Sequence, residues 1–258
     1  NSGTGRWNAQ VVKPFIAFSG TTIASTQALL EVAGDGDDLT NALVPCPNSA
    51  NTPAQIAAAV AALFAQNAAA KPHLDVAGRR IPVITLYGEQ IGESASYVYR
   101  DNLAKGGIST VTFDDALNGY VVQDLITFRR MPDQSNKARD WNYCRNLMLD
   151  FNIAFNYQVL QARTLMGRVI VKDDEIISAG RQNDIIRLSV WKAAVLNFFT
   201  QMIAFAYMTD QEYSNESLHV ELSGTNPKRI NTLFAYKRTE TVGIASTTAY
   251  AGFSFGEE

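Results

Sequence analysis

Histidine and cysteine are scarce in this 258-residue chain, which has two of each. His73 and His219 leave little for a zinc site, because neither lies near a cysteine at ligand spacing. No G-x-S-x-G elbow accompanies them, so a nucleophile with a histidine in reach is not expected either. Cys46 and Cys144 are too few for the disulfide framework of a small secreted protein and read as free thiols. An excess of one charge is missing as well. With 22 basic and 25 acidic residues the formal charge is −3, so a nucleic acid is not expected as a partner. No G-x-x-x-x-G-K-[ST] loop is present and no G-x-G-x-x-G follows a strand, which removes the usual phosphate cradle and dinucleotide site. The chain opens at Asn1 without a basic n-region or an apolar h-region, and is expected to carry no secretion signal and to be an excerpt of something longer. Metal, cofactor and catalysis are therefore all expected to be absent.

What the chain does have is apolar content, 47%, enough to bury a proper core as one large domain or two small ones. In "NTPAQIAAAVAALFAQ", Thr52 can cap a first turn, Pro53 sits where a missing N–H costs nothing, and Gln55 completes a capping box. Ile56, Val60, Leu63 and Phe64 then share one helix face. Upstream, "VVKPFIAFSG" reads as a strand over residues 11–18, and "LEVAGDGDDLTNALVPCPNS" as a strand or short turn followed by a polar loop. Downstream, "IPVITLYG" and "ISTVTFDD" read as strands, and "RDNLAKGGI" as a short helix stopped by glycine. Two long helices follow. In "NKARDWNYCRNLMLDFNIAFNYQVLQARTLMG" the residues Trp141, Cys144, Met148, Phe151 and Phe155 trace one stripe, with Gly167 as the stop. "DIIRLSVWKAAVLNFFTQMIAFAYM" is apolar nearly all round, as in the middle of a core, and Lys192, Asn197, Thr200 and Gln201 argue against a membrane span. "SLHVELSG" alternates Leu218, Val220 and Leu222 with His219 and Glu221, a half-buried strand. The segment from "NPKRINTLF" onward continues as one or two closing strands, with Phe253, Phe255 and Ala251 on one side. Helices interleaved with strands predict a mixed α/β (α+β) fold, a β-sheet covered by helices.

Three charged features invite a functional reading. The loop "GDGDDLTN" places Asp35, Asp37 and Asp38 between glycines, as oxygen-rich calcium loops do, and would serve a metal-dependent hydrolase. The glutamate that closes a twelve-residue calcium loop is absent, and Asp-Gly clusters are far more often plain turns. Asp173, Asp174 and Glu175 are explained by a solvated loop between helices. In "YVVQDLITFRRMPD", residues 120–133, a strand runs into Arg129 and Arg130. Neighbouring strand residues point to opposite faces, so the two cannot both close on one phosphate unless the strand has ended. One internal ion pair and one solvated arginine is the plainer reading.

The order of segments is more specific than any one motif. "VPCPNSANTPAQIAAAVAALFAQNAAAKPHLDVAGRRI", then "RDNLAKGGISTVTFDDALNGYVVQDLITFRR", then "SLHVELSGTNPKRINTLF" resembles, in that order, the tail sheath proteins of contractile phages. The resemblance runs from roughly Trp7 to Phe255. It rests on a proline-led alanine-rich helix, a "NLAKGGI" element feeding a strand that ends in arginine, and a late strand followed by an Asn-Pro-x-Arg turn. Two departures stand out: no N-terminal arm is visible before Asn1, and "RMPDQSNKARD" replaces the family's threonine-rich continuation after the arginine strand.

The resemblance implies a structural subunit of the virion tail, made in the host bacterial cytoplasm. It would divide into an N-terminal α/β part, residues 1–110, and a C-terminal α/β domain, residues 111–258. Copies would stack as a helical sleeve around an inner tube and shorten to drive the tube through a cell envelope. Its partners would be further copies of itself, the inner tail tube protein, and baseplate and tail terminator proteins, without nucleic acid or membrane insertion. Neighbours would be linked by terminal arms adding to a neighbour's sheet. On this reading Arg129 and Arg229 are interface groups, and Tyr250, Phe253 and Phe255 belong to a paired terminal strand. A tube protein of the same machine would be shorter and dominated by strands, which the two long helices oppose.

Overall fold

The computed structural model describes residues 14–34, 38–88, 96–128 and 143–240. The fold is mixed α/β, and among the described residues its strands form two-stranded pairs rather than one broad sheet. Among the described residues three buried apolar clusters lie beneath them, two built from the first part of the chain and one from the last.

The chain enters through β1 (Ala17–Thr21), helix α1 (Thr26–Ala33) and β2 (Asn41–Pro45). β1 and β2 are parallel, in register from Ala17 opposite Asn41 to Thr21 opposite Pro45, and α1 is the crossover that parallel pairing requires. Both sequence expectations here are corrected. The described strand begins at Ala17, with residues 14–16 outside any strand, and residues 11–13 of the expected strand lie outside the described residues. The "LEVA" run closes α1: Ser25 Oγ accepts from the Ala28 amide, and Leu29 and Ala33 turn into the core one helical turn apart.

Helix α2 (Pro53–Ala70) follows the sequence closely. Gln55 N donates to Thr52 Oγ1 at 3.3 Å, and Thr52 N donates to Gln55 Oε1 at 2.9 Å, the reciprocal capping box. Ile56, Val60, Leu63 and Phe64 are all buried. The helix lies directly on β1 because Gly20 has no side chain: a Cβ there would stand 2.3 Å from the Pro53 carbonyl oxygen and 2.7 Å from Ile56 Cβ.

The "IPVITLYG" segment is not a strand, a second correction. Val83 takes φ 58°, outside any β conformation, and Ile81 and Ile84 are both buried where alternation would separate them. The segment bonds on either side of that break: Ile81 N to Tyr120 O at 2.7 Å, and Tyr87 N to Asn48 O at 2.7 Å. It plugs the first core with isolated bridges instead of lengthening a sheet. Helix α3 (Tyr97–Lys105) stops at Gly106 with Gly107 at φ 76°, as read from "LAKGG". The antiparallel pair β3 (Thr110–Asp114) and β4 (Gly119–Asp124) completes the first half, with Tyr120, Val122 and Leu125 in the core.

Helix α4 (Cys144–Thr164) passes from one core to the other. Cys144 and Met148 pack into the first; Leu149 and Ile153, with Tyr157 and Leu160, pack into the last. The expected stripe is therefore corrected. Phe155 is 58% exposed, because a helix that serves two cores buries successive faces rather than one; Trp141 lies outside the described residues.

After short β5 (Val169–Ile170), a 3₁₀ turn (Ala179–Asp184) and β6 (Ile185–Ile186), helix α5 (Leu188–Ala204) supplies Trp191, Val195, Phe198, Phe199 and Met202 to the last core. It is not buried all round: Lys192, Asn197, Thr200 and Gln201 share its exposed side. Among the described residues no helix is long and apolar enough to cross a membrane. Short β7 (Met208–Thr209), α6 (Gln211–Glu216), β8 (His219–Leu222), β9 (Ile230–Leu233) and β10 (Lys237–Arg238) end the described chain.

The α2 cap gives a direct test. Thr52→Ala leaves the Gln55 amide without its side-chain acceptor and should cost about 1 kcal/mol of stability, measured by urea denaturation with an unchanged m-value.

Candidate assembly interface

Strands β8 and β9 form an antiparallel hairpin with His219 opposite Leu233, Val220 opposite Thr232, Glu221 opposite Asn231 and Leu222 opposite Ile230. Opposite residues share a face. On the inner face Val220 and Ile230 pack onto the last core, and Trp191 Nε1 donates to Thr232 Oγ1 at 2.8 Å, fastening the hairpin to α5. On the outer face, His219 Nε2 lies 3.3 Å from Glu221 Oε2 and Asn231 Nδ2 donates to Glu221 Oε1 at 3.3 Å. Leu233, 71% exposed, sits at the end of this polar row. Each strand is hydrogen-bonded as a strand only to the other among the described residues, which leaves each with a second ladder edge.

The turn between them is built by "SGTNPKR". Ser223 Oγ accepts from the Thr225 and Asn226 amides, Asn226 Oδ1 accepts from the Lys228 amide, and Ser223 N donates to Arg229 O at 2.9 Å. Arg229 therefore closes the hairpin through its backbone, and the residue is exposed at the tip beside Lys228. Of the interface residues selected from sequence, Arg229 is the one the structure describes. Arg129, Tyr250, Phe253 and Phe255 lie outside the described residues, as do Arg130, Asp35 and Asp37. Asp38 is engaged locally: its Oδ1 accepts from Thr40 N and Thr40 Oγ1, both at 2.7 Å, which is a turn. Among the described residues no three His, Cys, Asp or Glu side chains gather as they would around a metal ion. Asp173 Oδ1 accepts from Ser189 Oγ at 2.6 Å and covers the start of α5, while Asp174 and Glu175 are exposed. Both cysteines are buried and free, and burial pushes the Cys46 thiol up to about 12 and the Cys144 thiol up as well.

A second polar cluster escaped the sequence reading. Arg145, 3% exposed on the first turn of α4, donates to the His73 carbonyl through Nε at 3.1 Å and Nη2 at 2.7 Å. It also donates to Asn146 Oδ1 at 2.9 Å, to Thr239 Oγ1 at 2.9 Å and to the Thr239 carbonyl. One turn on, Asp150 accepts from Tyr236 Oη at 2.9 Å and pairs with Arg238 Nη1 at 2.8 Å. Burial pushes the Asp150 carboxyl up, against the downward pull of Arg238 and the Tyr236 hydrogen bond. The signal that could have found it is the position of Arg145 inside "YCRNLML", a run whose other residues are buried or half-buried.

No family model and no curated relative matches the chain. Solved structures do match. A chain of the anti-feeding prophage baseplate, from a six-fold symmetrised cryo-EM structure, superposes with TM-score 0.60 at 11% identity, covering 92% of this chain and 60% of that one. The sheath tail protein of Desulfitobacterium hafniense superposes with TM-score 0.53 at 12% identity, covering 90% of this chain and 51% of that one. The fold is thus tail-sheath-like, and the chain spans between half and three fifths of the length of these neighbours.

The outer-face row of the hairpin predicts an acid response. The Asn231 hydrogen bond, then that of His219, holds Glu221 below the usual glutamate range. The stability it contributes is present above that range and lost as pH falls through the lowered value. Amide protection in β8 and β9, read by hydrogen exchange, should drop in that window, and Glu221→Gln, which keeps an acceptor but cannot protonate, should abolish the drop. An unchanged acid response in the variant would contradict this.

Proposed function

We propose that this chain is part of a structural subunit of a contractile tail. Copies stack helically around an inner tube and shorten to drive that tube through a cell envelope, without a cofactor and without catalysis. The observation that carries the reading is the overlap of fold, across nine tenths of the chain, with two tail-machine components, in a sequence whose segments follow the sheath order. A sheath works by contacts that repeat without closing, since a heterologous interface generates an open helix. The described hairpin suits such a role. Its open ladders accept strands from neighbouring copies through main-chain hydrogen bonds, and these survive when rigid subunits rotate past one another.

On this proposal Arg229 and Lys228 project from the hairpin tip toward a neighbour or the tube. Arg129 and the terminal residues Tyr250, Phe253 and Phe255 lie at subunit contacts, the aromatic residues in a strand lent to another copy. The inner tail tube protein, baseplate proteins and a tail terminator are the remaining partners. The place of action is the virion tail, after assembly in the bacterial cytoplasm.

The baseplate neighbour supports a second reading, a component of the same machine at the end of the sleeve. The two differ in closure, because a sleeve subunit forms tubes of indefinite length and a baseplate component forms closed rings. Negative-stain electron microscopy of the full-length protein that carries this chain should show sheath-like tubes. Rings of fixed size would favour the baseplate reading, and a strictly monomeric protein at high concentration would overturn both.

A further inference from the structure

The last described segment, residues 234–240, is fixed at nearly every position. Phe234 stacks edge-on against Tyr157 and Phe199, each with ring centroids 5.1 Å away. Ala235 N donates to Ser217 Oγ at 2.8 Å, and Tyr236 and Arg238 reach Asp150 on α4. Lys237, pointing the other way, pairs with Asp210 and lies 4.6 Å over the Tyr213 ring. Thr239 Oγ1 donates to the Ala206 carbonyl at 2.7 Å and receives Arg145. β10 itself has only two residues paired with β7, too few to hold by ladder bonds alone.

Its environment explains why these side chains matter. Arg238 and Asp150 retain 11% and 17% of their side-chain exposure, so their pairing is weakly screened by solvent. Arg145 binds the His73 loop, which follows α2 of the first core, and the Thr239 backbone, which leaves the last core. Its planar fork meets two carbonyls and a hydroxyl at once, which a lysine ammonium on a flexible stem cannot reproduce.

We infer that Arg145 and Asp150 form a mechanical root for the chain beyond Glu240, tying it through α4 to the first and the last core so that tension on that segment is shared by the two. The inference deepens the proposed function and rests on it for the source of tension, which is engagement of residues 241–258 by a neighbouring copy. The root itself is a property of the single chain. Positioning, not catalysis or ligand binding, is the role of both residues.

Hydrogen exchange on the full chain, read peptide by peptide, tests the root without any assembly. In the wild type, amides of residues 236–240 should exchange as slowly as those at the start of α4. In Arg145→Met they should exchange about tenfold faster or more, the factor expected from losing several charge-assisted hydrogen bonds, while peptides of β1 and α2 stay unchanged. Arg145→Lys should restore only part of the protection. Thr239→Val, which removes one acceptor at the periphery and leaves α4 intact, should accelerate the same peptide if Arg145→Met fails to fold. Equal protection of residues 236–240 in wild type and Thr239→Val would overturn the inference, as would a loss in Arg145→Met spread evenly over all peptides. Electron microscopy of the same variants separates the two claims. Tubes that form in wild type and fail selectively in the variants support both. Absence of tubes in wild type with the exchange pattern intact sinks the function and leaves the root standing.

Discussion

A guanidinium with almost no access to water must find acceptors on every side, since an uncompensated buried charge is among the most costly defects a fold can hold. Arg145 finds them on the His73 carbonyl, the Asn146 amide oxygen and both oxygens of Thr239. Those acceptors come from three parts of the chain, so the position of α4, the loop after α2 and the end of the described chain are settled together. Burial pulls Arg145 down from its ordinary value, and Glu240 and then Asp75 act in the opposite direction. The cation is held by its surroundings, and they are held by it.

The small strand pairs make sense beside such a joint. Two-stranded sheets are weakly stable alone, and two of those here lean on helices: β1 and β2 on α2, β8 and β9 on α5 through Trp191 and Thr232. Rigidity then comes from helices and cores, and strand edges are left for other uses. Under the proposed function that division is required, because an interface that persists through a large rearrangement must sit on a body that does not deform.

Where structure is dictated locally, the sequence could be read. Thr52, Pro53 and Gln55 specify the start of α2 within four residues, and the two glycines after Lys105 stop α3 regardless of what lies around them. Strand β8 was legible for the same reason, as alternation in "LHVEL", while its pairing with β9 was not. Failures came where distant partners decide. Val83 is turned out of a strand path by bonds that Ile81 and Tyr87 make to Tyr120 and Asn48. Phe155 looked like core because nothing in α4 marks the point where it changes allegiance from one core to the other. Of the candidate site, the exposed tip with Arg229 was visible and the Arg145 cluster was not, since its acceptors lie 72 and 94 residues away along the chain.

The central claim is that α4 and Arg145 bind the first and the last of the buried cores into one rigid body. Differential scanning calorimetry tests it most directly. One transition, with calorimetric and van't Hoff enthalpies equal, is the result predicted, and two separable transitions, one for each core, would contradict it.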